Sequence, residues 1–123
     1  MIGYVTLGTN DLAKAAIFYD AIAKELGFGR FMEYETFIAW GEAGGAAGLG
    51  ITKPFNGEPA TIGNGVMVAL EAKDKDQVNR LHALALNLGG TDEGAPGPRG
   101  GDGFYAGYFR DLDGNKLNAF CMG

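Results

Sequence analysis

Twice along this chain a short segment with strand periodicity runs into a longer one with helical periodicity, and an offset of 63 residues carries Tyr4 onto Met67 and Asp11 onto Asp74. In the first copy Ile2-Gly3-Tyr4-Val5-Thr6-Leu7 alternates and is rich in β-branched and aromatic residues. Asn10 or Asp11 then offers an N-cap, and Leu12, Ala15, Ala16, Tyr19, Ile22, Ala23 and Leu26 recur at helical spacing until Gly27. In the second copy residues 64–71 alternate, Asp74 caps, and Val78, Leu81, His82, Leu84, Ala85 and Leu88 form an apolar stripe closed by Gly89-Gly90. Strand-like pieces follow over 30–34, 36–40 and 47–52 in the first copy and over 103–110 and 116–122 in the second, where one further short strand is expected near 90–99. The same offset lays Tyr4-Val5-Thr6-Leu7 on Met67-Val68-Ala69-Leu70 and Gly27 on Gly90. With a few residues of insertion, Leu49-Gly50-Ile51-Thr52 falls on Leu117-Asn118-Ala119-Phe120.

This order predicts an α+β chain of two βαβββ modules, the first about 1–53 and the second about 63–123. Pro54, Gly57 and Pro59 bar a helix or a central strand from the connector at 54–62. At 123 residues the whole is expected to be one domain. Hydrophobic residues at 46% and charged residues at 20% exclude the composition of disorder. The net charge of -5, with acidic and basic residues scattered, leaves no basic stripe for nucleic acid. No apolar run approaches the roughly 20 residues of a membrane helix, so no membrane partner is expected. The lone Cys121 forms no internal disulfide and the first residues lack a leader pattern, which points to the cytoplasm. There is no Ser and a single His, so Ser-His-Asp and Cys-His catalysis are not available. The run Gly44-Gly45-Ala46-Ala47-Gly48 does not lead into a helix with Lys and Ser or Thr, and reads as a tight strand connection rather than a phosphate cradle.

Two segments carry a resemblance. The opening Ile2-Gly3-Tyr4-Val5-Thr6-Leu7-Gly8, with Asn10-Asp11-Leu12 and Phe18-Tyr19, resembles the first strand and helix of the glyoxalase/bleomycin-resistance/extradiol-dioxygenase (vicinal oxygen chelate) superfamily, whose usual form has His at the place of Tyr4. Gly94-Ala95-Pro96-Gly97-Pro98-Arg99, followed by Tyr105-Ala106-Gly107-Tyr108-Phe109-Arg110-Asp111-Leu112-Asp113-Gly114-Asn115, resembles its closing hairpin. The resemblance implies an open, cup-like mixed β-barrel with the helices outside, and commonly a homodimer. Asp111 and Asp113 read first as turn carboxylates. His82 reads as a helix-surface or helix–sheet packing residue.

In members that do chemistry the resemblance implies a divalent metal held by His on the first strand and Glu on the last strand of each module. Those positions here are Tyr4, Gly50, Met67 and Asn118. Met is a soft thioether, Tyr is protonated up to a pKa of about 10, Asn is a weak neutral donor and Gly has no side chain. No metal and no cofactor are therefore expected. The same set suits a small organic ligand, with Tyr4, Met67 and Asn118 joined by Trp40, Arg99, Tyr105 and Tyr108 as candidate contacts; Phe37 shares that prospect. Strand parity leaves open which of these aromatics face a ligand. The expected function is metal-free binding of a small molecule. The alternative is a glyoxalase-like lyase or isomerase, or a dioxygenase-related enzyme, for which no catalytic residue can be named.

Overall fold

Asp11 and Asp74 start the two helices in the same way, each accepting a hydrogen bond from the backbone N–H three residues on, at Lys14 (3.1 Å) and Gln77 (2.8 Å). In the computed structural model, which describes residues Met1–Gly123, they belong to two units, Met1–Ile62 and Gly63–Gly123, that repeat one element order. The first unit, module 1, holds β1 (Tyr4–Gly8), α1 (Leu12–Leu26), β2 (Gly29–Glu33), β3 (Phe37–Gly41) and β4 (Gly48–Thr52). Module 2 holds β5 (Val68–Glu71), α2 (Lys75–Asn87), β6 (Thr91–Pro98), β7 (Phe104–Arg110) and β8 (Lys116–Met122). Their sheets are ordered β1-β4-β3-β2 and β5-β8-β7-β6, with the first and last strands of each module parallel and the other pairs antiparallel. The chain is therefore α+β with two βαβββ modules. No helix is long and apolar enough to cross a membrane.

The register repeats as well. Val5 pairs with Leu49 in module 1 and Val68 with Leu117 in module 2, as the superposed sequences predict. Both helices end in the same double hydrogen bond: Phe28 N–H to Ala23 and Gly27 N–H to Lys24 in one, Gly90 N–H to Ala85 and Gly89 N–H to Leu86 in the other. Gly27 (φ 89°) and Gly89 (φ 102°) take the left-handed position that closes each helix. The equivalent of Gly27 is thus Gly89 rather than Gly90, because one residue fewer separates Asp74 from Gly89 than Asp11 from Gly27.

The start of β5 differs from the sequence reading, and β6, found where a strand is expected, is longer than expected. Strand β5 begins at Val68 and not near 64, because Gly63 to Val66 closes a turn (Val66 N–H to Gly63 C=O, 3.2 Å) with Gly65 at φ 93°. Met67 consequently lies just outside the strand. Strand β6 runs the full stretch Thr91–Pro98 despite Pro96 and Pro98, which an edge strand tolerates because one side of its backbone has no partner to bond. Its pairing with β7 is interrupted between Asp92 and Gly94 and between Gly94 and Gly97. The connector is held to module 1: Asn10 accepts from Ala60 N–H (2.7 Å) and donates to its carbonyl (3.3 Å).

Each helix packs on one face of its own sheet. In α1 the buried stripe includes Leu12, Ala15, Ala16, Tyr19, Ile22 and Ala23, and in α2 it includes Val78, Leu81, His82 and Ala85. Asp20 of α1 fastens that packing by accepting two bonds from Arg30 of β2 (2.9 and 2.8 Å) and one from the Trp40 indole of β3 (2.8 Å). The Arg30 bond, with help from Trp40, holds the Asp20 carboxyl below the usual carboxylate range against the opposing effect of burial. A lowered folded-state pKa stabilises the fold above the unfolded value of about 3.9, and that stability is lost as pH falls through the folded value. Asp20→Asn, which keeps an acceptor for Trp40, should therefore cost up to about 1 kcal/mol at neutral pH by urea denaturation, the pair being partly exposed. The gap to the parent should narrow as pH is lowered below about 4; a gap that stays constant would contradict this assignment.

Candidate functional site

Because side chains alternate along a strand, the register sorts every sheet residue onto the helix-covered face or the helix-free face. In module 1 Leu7, Ile51, Ile38 and Trp40 share the covered face, while Tyr4, Thr6, Gly48, Gly50, Phe37 and Ala39 share the other. In module 2 Leu117, Ala119, Cys121, Phe109 and Tyr105 are covered, and Ala69, Asn118, Phe120, Tyr108, Ala106 and Phe104 are on the helix-free face.

This division places two of the candidate contacts on the helix-covered faces. Trp40 is 4% exposed, leans against Tyr19 of α1 (5.6 Å between centroids) and gives its N–H to Asp20. Tyr105 donates its hydroxyl to Asn79 of α2 (2.7 Å) and lies 5.6 Å from the Lys75 ammonium. Both are held by the helices and are not on the helix-free faces. Tyr4, Asn118 and Tyr108 are on those faces; Met67 is 40% exposed and one residue ahead of β5. Of the two readings of His82, helix surface or helix–sheet packing, the structure shows the second: it is buried on α2, with its ring against Phe109 and its Nε2 3.0 Å from Asp92 Oδ1. Asp92 also accepts the Gly94 N–H, and that bond first, then His82, keeps its carboxyl below the usual range. Asp111 closes the β7–β8 turn by accepting from the backbones of Asp113 and Asn115, both at 2.9 Å.

On module 1 the helix-free face is aromatic. The Phe37 ring lies over Gly50 so closely that a Cβ there would be 2.5 Å from it, and the Tyr4 ring meets Phe37 edge-on at 6.2 Å. Tyr4 is 56% exposed. On module 2 the face is mixed. Tyr108 has the Arg99 guanidinium and the Lys116 ammonium each 5.5 Å from its ring centroid, and Phe104 stacks on Phe120 at 5.6 Å. Opposite Tyr108 on β8, Asn118 is 1% exposed and its carbonyl oxygen has no hydrogen-bond partner. Lys116 is the contact that the sequence reading missed, since a single Lys beside a hairpin turn looks like any solvated lysine.

The four positions do not fit a divalent metal in an N/O site. Gly50 carries no donor and its place is filled by the Phe37 ring; Asn118 presents one neutral carbonyl; Tyr4 and Met67 supply a phenol and a thioether. No three His, Cys, Asp or Glu side chains come together that could hold a metal ion. A recess of about 620 Å³ opens in module 1 beside the start of α1, lined among others by Leu12, Ala16, Arg30, Tyr34, Ile38 and Lys53. It contains none of the candidate contacts, and its Arg30 is already bound to Asp20 and Glu33.

Comparison with known proteins agrees with the fold. The family model described as Glyoxalase/Bleomycin resistance protein/Dioxygenase superfamily matches residues 1–119. Among solved structures, a glyoxalase/bleomycin resistance protein from Albidiferax ferrireducens T118 is 38% identical with a TM-score of 0.92, covering 100% of this chain and 99% of its own. A glyoxalase/bleomycin resistance protein/dioxygenase family enzyme from Burkholderia phytofirmans PsJN (17% identity, TM-score 0.77, 98% of each chain) shares the fold. So does a lactoylglutathione lyase from Agrobacterium tumefaciens (21%, TM-score 0.72, 98% of this chain and 92% of its own). No curated protein matches the sequence. With the family model spanning almost its whole length, this chain belongs to the glyoxalase/bleomycin resistance protein/dioxygenase superfamily.

Proposed function

We propose that this superfamily member binds a small organic molecule on the helix-free faces of its sheets, and that it does so without a metal ion. The observation that carries the reading is the Phe37 ring over Gly50, which puts hydrocarbon where a metal-binding member would need a carboxylate. The exposed Tyr4 extends that ring into an aromatic surface, and on module 2 Tyr108 lies beside the buried, unpartnered carbonyl of Asn118. Flat apolar area with a few polar tips suits an organic body. We extend the proposal to a homodimer in the cytoplasm, a reducing setting that suits the buried free thiol of Cys121. Lyase chemistry of the kind named for the Agrobacterium relative would need a Lewis acid and a carboxylate base, and Gly50 and Asn118 supply neither.

Binding is tested by thermal unfolding against a panel of neutral and charged aromatic compounds, with and without EDTA. A ligand at 100 times its Kd should stabilise the fold by about 2.7 kcal/mol, and EDTA should leave the shift unchanged. Stabilisation by Mn, Ni or Zn alone, abolished by EDTA, would overturn the reading.

The packing that carries the proposal has its own test. Gly50→Ala should cost about 1 to 3 kcal/mol through overpacking against Phe37. In a Phe37→Ala background most of that cost should vanish, a coupling that a double-mutant cycle measures directly. Equal costs in both backgrounds would mean that the ring does not occupy that space.

A further inference from the structure

We propose that the helix-free face of module 2 is a carboxylate subsite, formed by Arg99 and Lys116 around Tyr108 and backed by Asn118, for a small aromatic acid that also carries a hydroxyl or amino group. The inference rests on the metal-free binding reading and names the class of ligand it would serve.

The cations come first. Arg99 and Lys116 converge on one ring, each 5.5 Å from the Tyr108 centroid. Neither has a carboxylate within ion-pair distance, whereas Arg30 is matched by Asp20 and Glu33, and Arg110 on the same face by Glu93. Arg99 places its Nη1 and Nη2 on the carbonyls of Gly97, Pro98 and Ala95, at 2.9, 3.3 and 2.7 Å. Those bonds fix the guanidinium without neutralising it, which is the pre-organisation an anion site needs. In a chain of net charge -5, two unmatched cations held at one spot favour an anionic ligand over a neutral one.

Asn118 supplies the second, independent observation. It is the cross-strand partner of Tyr108, it is 1% exposed, and its Oδ1 has nothing to accept from. An unpaired buried acceptor weakens the fold, and an apolar residue of similar shape would avoid the loss. A ligand O–H or N–H would satisfy it. Lys116, two residues earlier on the same strand and face, is the flexible part of the surroundings that a carboxylate would draw toward itself. The stacked Phe104 and Phe120 extend the face with apolar surface for the ring of the ligand.

The test is equilibrium binding in EDTA of three probes, 4-hydroxybenzoate, its amide 4-hydroxybenzamide and its ether 4-methoxybenzoate, to the parent chain and to Arg99→Gln, Lys116→Gln and Asn118→Leu. The acid should bind about tenfold or more tighter than either comparison compound. Arg99→Gln and Lys116→Gln should each erode the preference for acid over amide and leave the preference for hydroxyl over ether. Asn118→Leu should do the reverse, and should melt as high as the parent or higher because the unpartnered carbonyl is gone. Acid and amide bound equally well would overturn the subsite while leaving metal-free binding intact. Preferences that no variant changes, or an Asn118→Leu chain that melts lower and still prefers the hydroxyl, would overturn it too. If none of the three probes binds, the ligand class is wrong, and the wider panel of neutral and charged compounds decides the parent reading separately.

Discussion

The parallel pairing of β1 with β4, and of β5 with β8, fixes what each side chain in this chain can do. A parallel pair needs a crossover, and here each crossover includes one helix, so each sheet acquires one covered face and one face without a helix. Register then propagates that choice across the sheet, since a slip of one residue would exchange the two faces. The covered faces are built for packing, with Ile51, Leu117, Ala119 and Phe109 all at 0% exposure. On the other faces lie an exposed tyrosine, a ring laid over a glycine, two cations on an aromatic and an unsatisfied amide. The helix-free faces are not uniformly open, since Ala39, Ala106 and Asn118 on them are buried as deeply as the covered residues.

The unpartnered Asn118 carbonyl and the Phe37–Gly50 contact lie at equivalent places on the last strands of the two modules. In module 1 the space near the last strand is closed to a charged ligand donor by hydrocarbon, and in module 2 the corresponding strand keeps a polar group but a neutral one. Any side chain at Gly50 would require the Phe37 ring to shift, so the packing of this face depends on the bare backbone there.

Much of this was legible in the residues. Asp11 and Asp74 each precede a helical stripe, and both cap their helices; the superposition of Leu49 on Leu117 is reproduced in the strand register. Side-chain direction was harder to read. Phe37 and Trp40 lie three apart on one strand, as do Tyr105 and Tyr108, so parity alone forbids both members of either pair from facing a ligand. Which member does so depends on partners distant in sequence, Asp20 for Trp40 and Asn79 for Tyr105, and no local pattern announces them. The start of β5 was obscured because Asn64-Gly65-Val66 alternates like a strand while Gly65 turns the chain. Lys116 gave no signal at all, because its meaning comes from Arg99 and Tyr108 beside it.

The central claim is that these positions have exchanged metal chemistry for the binding of an organic molecule. It is tested most directly by the metal content of chain purified without an affinity tag, incubated in turn with Mn, Fe, Ni and Zn, and dialysed before elemental analysis. The account predicts far less than one equivalent of any of them, with no difference between the parent and Asn118→Ala. One tightly held equivalent per chain, lost on substitution of Tyr4, Met67 or Asn118, would contradict it.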